Sequence, residues 1–485
     1  MTDHIPVSGA NYIGGQWIPA TSGKTFDSTN PADPGQTIGT FPESGPDDVA
    51  GALDALVKAA PEWADTPPER RARILEGAAA DLESRGRQLI EEIVREEGKT
   101  RAEATMEVGR TPMNLRFYAA EAVRAGGSTY PAAAGSLVYT VREPVGCVGA
   151  ITPWNFPLNI PSRKIGPALA TGNTVLFKPS EITPLMGQRL VEALLAGGLP
   201  EGAIALVHGG GTAGAAVAAD DRVDAVTFTG STDVGHAIHR EVGPQRRVQL
   251  EMGGKNPTVV LGDADIDMAA ATVVKGAFGL SGQACTGTSR LIVVDEIHDA
   301  LVDAVVERAA KLVIGSGLDS AVAMGPLASA AQLIKYREYV AAGLADGAVL
   351  RTPEPDLDGR DGYFAAPAIF TDTTPDMRIV REEIFGPVLA VQRARDHTEA
   401  IELANATRFG MSAAIITRDL QRAMEFANQS RTGLVKINQP TTGMAMNAPF
   451  GGYKASSTQT SKEQAGASMM QFYQSEKTIY LTPAG

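Results

Sequence analysis

Cysteine is almost missing from this 485-residue chain, which carries only Cys147 and Cys285. Two thiols cannot build a disulfide framework, and no third thiol or nearby histidine pair completes a zinc site of ordinary spacing. No metal is expected, and reduced thiols point to a reducing compartment. Long apolar runs are missing as well. No stretch reaches the roughly 18 apolar residues of a membrane span, and MTDHIPVSGANYIGGQW has no basic start followed by an apolar block. The expected location is cytoplasmic, with no membrane partner. Positive charge is in deficit: the formal net charge of −13 is diffuse and leaves no basic stripe, which argues against nucleic acid. No repeat of solenoid period is present.

What the chain does have is length, about three times that of an ordinary domain, so two or three packed units are expected. Residues 46–125 carry Ala, Glu, Arg and Leu at helical spacing. From 126 to 146, Leu137, Tyr139 and Val141 alternate with smaller or polar neighbours, as in a hairpin. Between 145 and 262, short β-branched runs (VGCVGAIT, NTVLFK, AIALVHG, VDAVTFTG, RVQLEMG) alternate with helical segments, and 263–450 repeats the style. Such alternation predicts doubly wound parallel sheets with ligands at the carboxyl ends of strands. The tail MMQFYQSEKTIYLTP ends in a β-like run too short to fold alone, so it should pair with another chain or domain.

Several strand ends carry chemistry. Gly209, Gly211 and Gly214 in VHGGGTAG have the spacing of a dinucleotide turn, although no acidic residue closes the next strand and a tight packing turn reads equally well. Thr229-Gly230-Ser231 offers a second phosphate-competent turn before a helix. Lys178, Ser180 and Glu181 in LFKPSE suit ribose hydroxyls, or form a solvated turn. Cys285 lies in the small, polar loop SGQACTGTSR, where bare amides can stabilise charge developing on an attacked carbonyl, whereas Cys147 in VGCVGA reads as a core filler. Glu251 follows an apolar strand directly and suits a desolvated general base, with an ion pair to Lys255 as the alternative. Asn155 in TPWNFP can contribute a side-chain amide to an oxyanion hole.

Together, ITPWNFP, LFKPSE, TFTGST, LEMGGKNP, SGQACTGTSR, REEIFGPV and PFGGYK resemble, in order and rough spacing, the aldehyde dehydrogenase superfamily, from about residue 11 to 483. The resemblance implies an α/β fold of two doubly wound parallel-sheet domains plus a small β oligomerisation element. It places a cofactor-binding domain at 1–125 and 147–250, a catalytic domain at 251–450, and the oligomerisation hairpin and tail strand at 126–146 and 470–485. It makes Cys285 the nucleophile, Glu251 the general base, Asn155 with the Cys285 amide the oxyanion hole, and Lys164 with Glu463 a proton relay. NAD, or alternatively NADP, would be held by Ile151, Thr152, Pro153, Trp154, Lys178, Ser180, Glu181, Gly211, Phe228, Gly230, Ser231, Met252, Gly253, Glu383 and Phe385. VHGGGTAG is one residue shorter than the family's usual glycine turn. The family also implies a homodimer or homotetramer.

For the substrate, Phe156, Ile160 and Arg163 fall at i, i+4 and i+7 and predict one helical stripe, and Phe450 joins them by resemblance. Arg163 matches the arginine that grips the substrate carboxylate in succinic semialdehyde dehydrogenases, while the second such arginine is missing from AFGLSGQAC. INQPTTG, PFGGYKASS and SKEQAG resemble instead the 2-oxoglutaric semialdehyde dehydrogenases. The implied substrate is a small aldehyde with a distal carboxylate. The alternatives are an uncharged aliphatic or aromatic aldehyde, with Arg163 in an interdomain ion pair, or thioester transfer to coenzyme A. None of the six histidines stands in a motif that would ionise the thiol of a cysteine hydrolase.

Overall fold

A computed structural model describes residues 5–124, 126–353, 361–458 and 466–483. The β-branched runs between 145 and 251 form the heart of a seven-stranded sheet. Its spatial order is Arg247–Glu251, Ala225–Thr229, Cys147–Ile151, Thr174–Lys178, Ile204–Leu206, Asn11–Ile13 and Gln16–Ile18. The first five strands are parallel. Every residue of Cys147–Ile151, Thr174–Lys178 and Ala225–Thr229 is buried, which explains why these runs do not alternate: helices cover both faces.

Strand order reverses at Cys147–Ile151, whose sequence successor lies on one side while Ala225–Thr229 lies on the other. The crevice beyond the carboxyl ends of those two strands is therefore the ligand position of a doubly wound sheet. A second seven-stranded sheet, parallel apart from the edge strand Val349–Leu350, reverses likewise at Asn256–Val260. Glu251 ends a strand of the first sheet and Asn256 opens a strand of the second, so LEMGGKNP spans the gap between them.

The helical stretch resolves into Pro46–Ala64, Pro68–Ser84, Gly86–Glu97 and Arg101–Arg124. The hairpin comprises Thr129–Tyr130 and Leu137–Pro144. The tail strand Gln474–Leu481 pairs with Leu137–Pro144 of its own chain, in antiparallel register from Gln474 opposite Pro144 to Leu481 opposite Leu137. The cause lies just upstream, where Met469, Met470, Phe472 and Tyr473 are buried in the core around the first sheet. The Arg247 guanidinium then donates to the carbonyls of Gln471, Phe472 and Gln474. Thus anchored, the tail meets the nearest open strand edge. The N-terminal three-stranded sheet of Val7–Ser8, Thr25–Asn30 and Asp33–Pro42 had no sequence signal, being short and rich in Thr, Asp and Gly. Among the described residues no helix is long and apolar enough to cross a membrane.

Candidate active site

The loop before Cys285 is held in an unusual backbone shape. Leu280, Ser281 and Gly282 have φ of 53°, 54° and 72°. For the two residues that carry a Cβ, such geometry costs of order 1–3 kcal/mol each and persists only where the surroundings over-determine it. They do so here. The Leu280 amide donates to Glu103 Oε1 at 2.6 Å, the Ser281 hydroxyl to the Gly325 carbonyl at 2.8 Å, and the Ala328 amide to Gln283 Oε1 at 3.0 Å. A Cβ on Gly282 would stand 2.3 Å from the Gly386 carbonyl oxygen, so glycine is required. The Cys285 carbonyl is fixed by Asn256 Nδ2 at 2.8 Å, and its side chain remains half-buried.

Cys285 opens into a cavity that also receives Pro153, Trp154, Asn155 and Ile160, Thr229 to Ser231, Met252 and Gly253, Gln332 and Lys335, and Glu383 and Phe385. Five of the sequence motifs thus deliver residues to one place. Cys147, by contrast, is buried in its strand, and burial pushes its thiol up to about 12.

Asn155 is 2% exposed and its Nδ2 donates to the Gln283 carbonyl at 2.9 Å. A carboxamide nitrogen carries two donors, so one remains for a ligand oxygen. The Asn155 backbone is held from beneath by Lys99, whose ammonium donates to its carbonyl at 2.8 Å and also pairs with Glu107. Burial alone would lower Lys99, but the Glu107 and Glu97 carboxylates outweigh it and hold the ammonium above its ordinary value. Glu107 in turn accepts from the Leu158 and Asn159 amides, at 2.9 and 3.0 Å, where the helix Asn159–Ala170 begins. No sequence motif announced Lys99 and Glu107.

Glu251 is 1% exposed, yet it does not line the cavity. Its carboxylate accepts from the Gly452 amide and the Ser457 hydroxyl, both at 3.2 Å, and from Gln249 Nε2 at 3.4 Å. Lys164, fully buried, donates to Thr227 Oγ1 at 3.1 Å and to Gln249 Oε1 at 3.3 Å, so Gln249 links the lysine to the glutamate. Glu463 lies outside the described residues.

The alternative partner, Lys255, stands elsewhere. Its buried ammonium has no hydrogen-bond partner among the described residues, and burial followed by the Arg290 charge lowers it to about 7. Between that value and the ordinary 10.5, the unfolded chain binds the proton that the folded chain has released. Stability should therefore rise with pH in this window, the cost being fully present only below it. Lys255→Met should flatten the rise in melting temperature between about pH 7 and about pH 9.

The cofactor candidates fall into two groups. At the outer end, Lys178 Nζ lies 3.3 Å from Glu181 Oε2, with the lysine buried and the Glu181 side chain 48% exposed. Burial lowers Lys178, and Glu181 opposes that shift. Ser180 accepts from the Ile182 amide, and Phe228 packs against Gly230, where a Cβ would meet its ring at 2.4 Å. The glycine turn opens the helix Gly211–Ala219, but the Gly210 amide donates to Glu43 Oε1 at 3.3 Å, a carboxylate that would repel a phosphate. Asp233 lies in the first turn after Ser231, but among the described residues no side-chain carboxylate accepts from the amides of that turn. Ser231 precedes the helix Thr232–Val242 without capping it, and the buried Thr232 hydroxyl has no hydrogen-bond partner among the described residues. The two glycine-containing turns are thus separable, and the second suits a pyrophosphate.

At the inner end, the Gly254 amide donates to Glu383 Oε1 at 2.9 Å, while burial raises the carboxyl. A Cβ on Gly253 would stand 2.1 Å from Glu383 Oε2. Trp154 meets Phe385 edge-on at 5.4 Å, and Phe385 is itself at φ 58°. Gln332 and Lys335, missed from the sequence because QLIKYREY is an ordinary amphipathic helix, line the same cavity, and Gln332 Oε1 is buried without a partner among the described residues. Buried unsatisfied oxygens at Gln332, Thr232 and Thr152 are what a hydroxyl-rich dinucleotide would satisfy. The residues present fit that group.

On the substrate side, Ile160 lines the cavity, and Arg163 lies one turn further along the helix. Arg163 is 4% exposed, 5.3 Å from the centre of the Phe450 ring, with Nη1 2.9 Å from Met444 Sδ. The expected three-residue stripe is shortened. Asn159 is the first helical residue, so Phe156 stands in the preceding turn, with its ring 4.7 Å from Lys99 Nζ.

Comparison with known proteins identifies the family and the fold. A profile described as "Aldehyde dehydrogenase family" matches residues 17–479. "2,5-dioxopentanoate dehydrogenase" of Saccharolobus solfataricus is 42% identical over 470 residues, covering 96% of this chain and 98% of that protein. "Alpha-ketoglutarate semialdehyde dehydrogenase" of Haloferax volcanii is 40% identical over 476 residues, covering 97% and 98%. The crystal structure of betaine aldehyde dehydrogenase from Staphylococcus aureus in complex with NAD+ is 33% identical, with a TM-score of 0.95 over 98% of this chain and 95% of that one. Sequence and architecture agree along nearly the whole length: the chain belongs to the aldehyde dehydrogenase family.

Proposed function

We propose that the chain oxidises a short aldehyde bearing a distal carboxylate to the corresponding acid, with NAD(P)+ as electron acceptor. The observation that carries this reading is the meeting of the Cys285 thiol, the Asn155 amide and the buried Glu383 carboxyl in one cavity. Cys285 Sγ, as the thiolate, adds to the aldehyde carbon. Asn155 Nδ2 and the Cys285 amide hold the resulting oxyanion. When bound, the nicotinamide supplies the acceptor for the hydride that this carbon loses. Cys285 then carries a thioester.

Glu251 takes a proton from the water that attacks the thioester, which requires its carboxylate to turn away from Gly452 and Ser457 towards the cavity. Lys164 and Glu463 are the onward members for the proton, and Gln249, which donates to Glu251 and accepts from Lys164, orients the two buried groups without itself carrying the proton. Glu181 and Lys178 hold the adenosine ribose, and an acidic side chain there repels a 2′-phosphate, favouring NAD+ over NADP+. Glu383, Gln332 and Lys335 hold the second ribose, and Ser231 the pyrophosphate. The hydrolytic outcome is favoured over transfer to coenzyme A because Glu251 has no role in the latter.

The carboxylate-bearing substrate rests on Arg163, one turn beyond Ile160, and on the names of the two archaeal relatives. Steady-state kinetics on a short aldehyde acid and its methyl ester tests it. Arg163→Ala should lower kcat/KM for the acid by roughly 10- to 100-fold, the effect of removing a charged hydrogen bond. Equal specificity constants for acid and ester in the parent enzyme would remove the idea.

Lys99 is a positioning residue for Asn155. Lys99→Met should lower kcat by roughly 10- to 100-fold while lowering the melting temperature, because it leaves Glu107 buried and unpaired, at about 3–5 kcal/mol. An unchanged kcat in the folded variant would show that Asn155 needs no such support. Assembly is proposed as a homodimer or homotetramer in the cytoplasm. The open edge at Gln474–Leu481, with Tyr480 78% exposed, is the surface that supports it.

A further inference from the structure

We infer that Arg110 is a second specificity-determining residue, which joins Arg163 in gripping the distal carboxylate of the substrate; this rests on the substrate reading above. Arg110 lies on the helix Arg101–Arg124, which is locked against the helix Asn159–Ala170 on both sides of it. One turn before, Glu107 accepts from the Leu158 and Asn159 amides. One turn after, Asn114 Nδ2 donates to Asn159 Oδ1 and to Ser162 Oγ, both at 3.0 Å. Between these clamps, Arg110 and Arg163 approach the same residue from two helices: Arg110 Nη2 donates to the Met444 carbonyl, and Arg163 Nη1 reaches the Met444 sulfur.

The charge pattern of the helix singles Arg110 out. Its other three arginines each have a carboxylate partner, Arg101 with Glu91, Arg116 with Glu83 and Arg124 with Glu121. Among the described residues no carboxylate pairs with Arg110; its charged neighbour is Arg163. Burial and that like charge lower the guanidinium from its ordinary value. Two cations brought together from rigid elements favour an anion between them, and a carboxylate can accept from both at once. The position is distal to the chemistry, since Ile160 lines the Cys285 cavity and Arg163 lies one turn beyond it.

The test compares Arg110→Gln, Arg110→Lys and Arg163→Ala with the parent enzyme, using a short aldehyde acid and its methyl ester, together with size-exclusion chromatography. Arg110→Gln should lower the acid-to-ester ratio of kcat/KM by roughly tenfold or more through KM for the acid, with Arg110→Lys recovering part of it. A proportional loss on both substrates, an unchanged ratio, or a change of oligomeric state with the ratio intact would overturn the inference. If the parent enzyme does not distinguish acid from ester, the substrate reading itself falls. If Arg163→Ala abolishes the distinction and Arg110→Gln preserves it, only the role of Arg110 falls.

Discussion

Cys285→Ala is expected to reduce aldehyde-dependent NAD(P)H formation by about 10⁴-fold or more, the usual scale for removing a covalent nucleophile. The loss should fall on kcat while the folded state and cofactor binding persist. Cys285 is half-buried, and its loop is fixed by contacts that do not involve the thiol: Glu103 with Leu280, Ser281 with Gly325, and Gln283 with Ala328 and Asn155. Cys147→Ala is the matched control. It removes the same atom from a buried strand position, so it should cost some stability and leave turnover in place. Retained activity in Cys285→Ala, measured by NADH absorbance with protein of unchanged melting temperature, would refute the thioester route.

Glu251→Gln should separate the two halves of the reaction. The amide is nearly isosteric: its oxygen can take the place of Oε2 and accept from the Gly452 amide, while its nitrogen, in the place of Oε1, can donate to the Ser457 hydroxyl oxygen, so the buried site largely keeps its shape. What it cannot do is take a proton from water. We expect a rapid burst of about one NADH per active site, followed by steady turnover slower by about 10²–10⁴-fold, the range for loss of a general base. The stalled enzyme should carry the acyl group on Cys285, detectable as added mass, and an added nucleophile such as hydroxylamine should restart it. Absence of a burst with slow turnover would place the glutamate in the first half-reaction. Full activity would place the base elsewhere.

Strand-end motifs were the most legible part of the molecule. Asn155, Gly230, Ser231 and Cys285 were readable because a turn or a close backbone approach leaves local marks, glycines and an asparagine between aromatics, whereas Trp154, Met252 and Glu383 came only with the family resemblance. The sheets were legible too, since continuous β-branched runs separated by helices allow few arrangements. What escaped was assembled from distant, locally ordinary residues. Lys99 reaches beneath Asn155 from the short linker between two helices and Glu107 from the second of them, and neither stands in a charge pattern that marks it. Lys335 and Gln332 look like any polar face, and Arg110 gains meaning only beside Arg163. Spacing also suggested that Phe156 was helical, but the chain turns first and begins its helix at Asn159, where Glu107 receives the amides. The glycine fingerprint was present in letters, yet the carboxylate of Glu43 decides what its first amide can bind.

The three-stranded sheet joins residues more than three hundred positions apart, with Gln474 opposite Pro144 and Leu481 opposite Leu137. During synthesis the hairpin therefore leaves the ribosome with one edge bare and waits for nearly all the remaining chain before its partner arrives. Closing so long a loop is slow, and an open strand edge is a template for wrong pairing. Truncation before Met469 should consequently harm yield and solubility well before it harms chemistry, since the last strand acts as the latch of the whole fold.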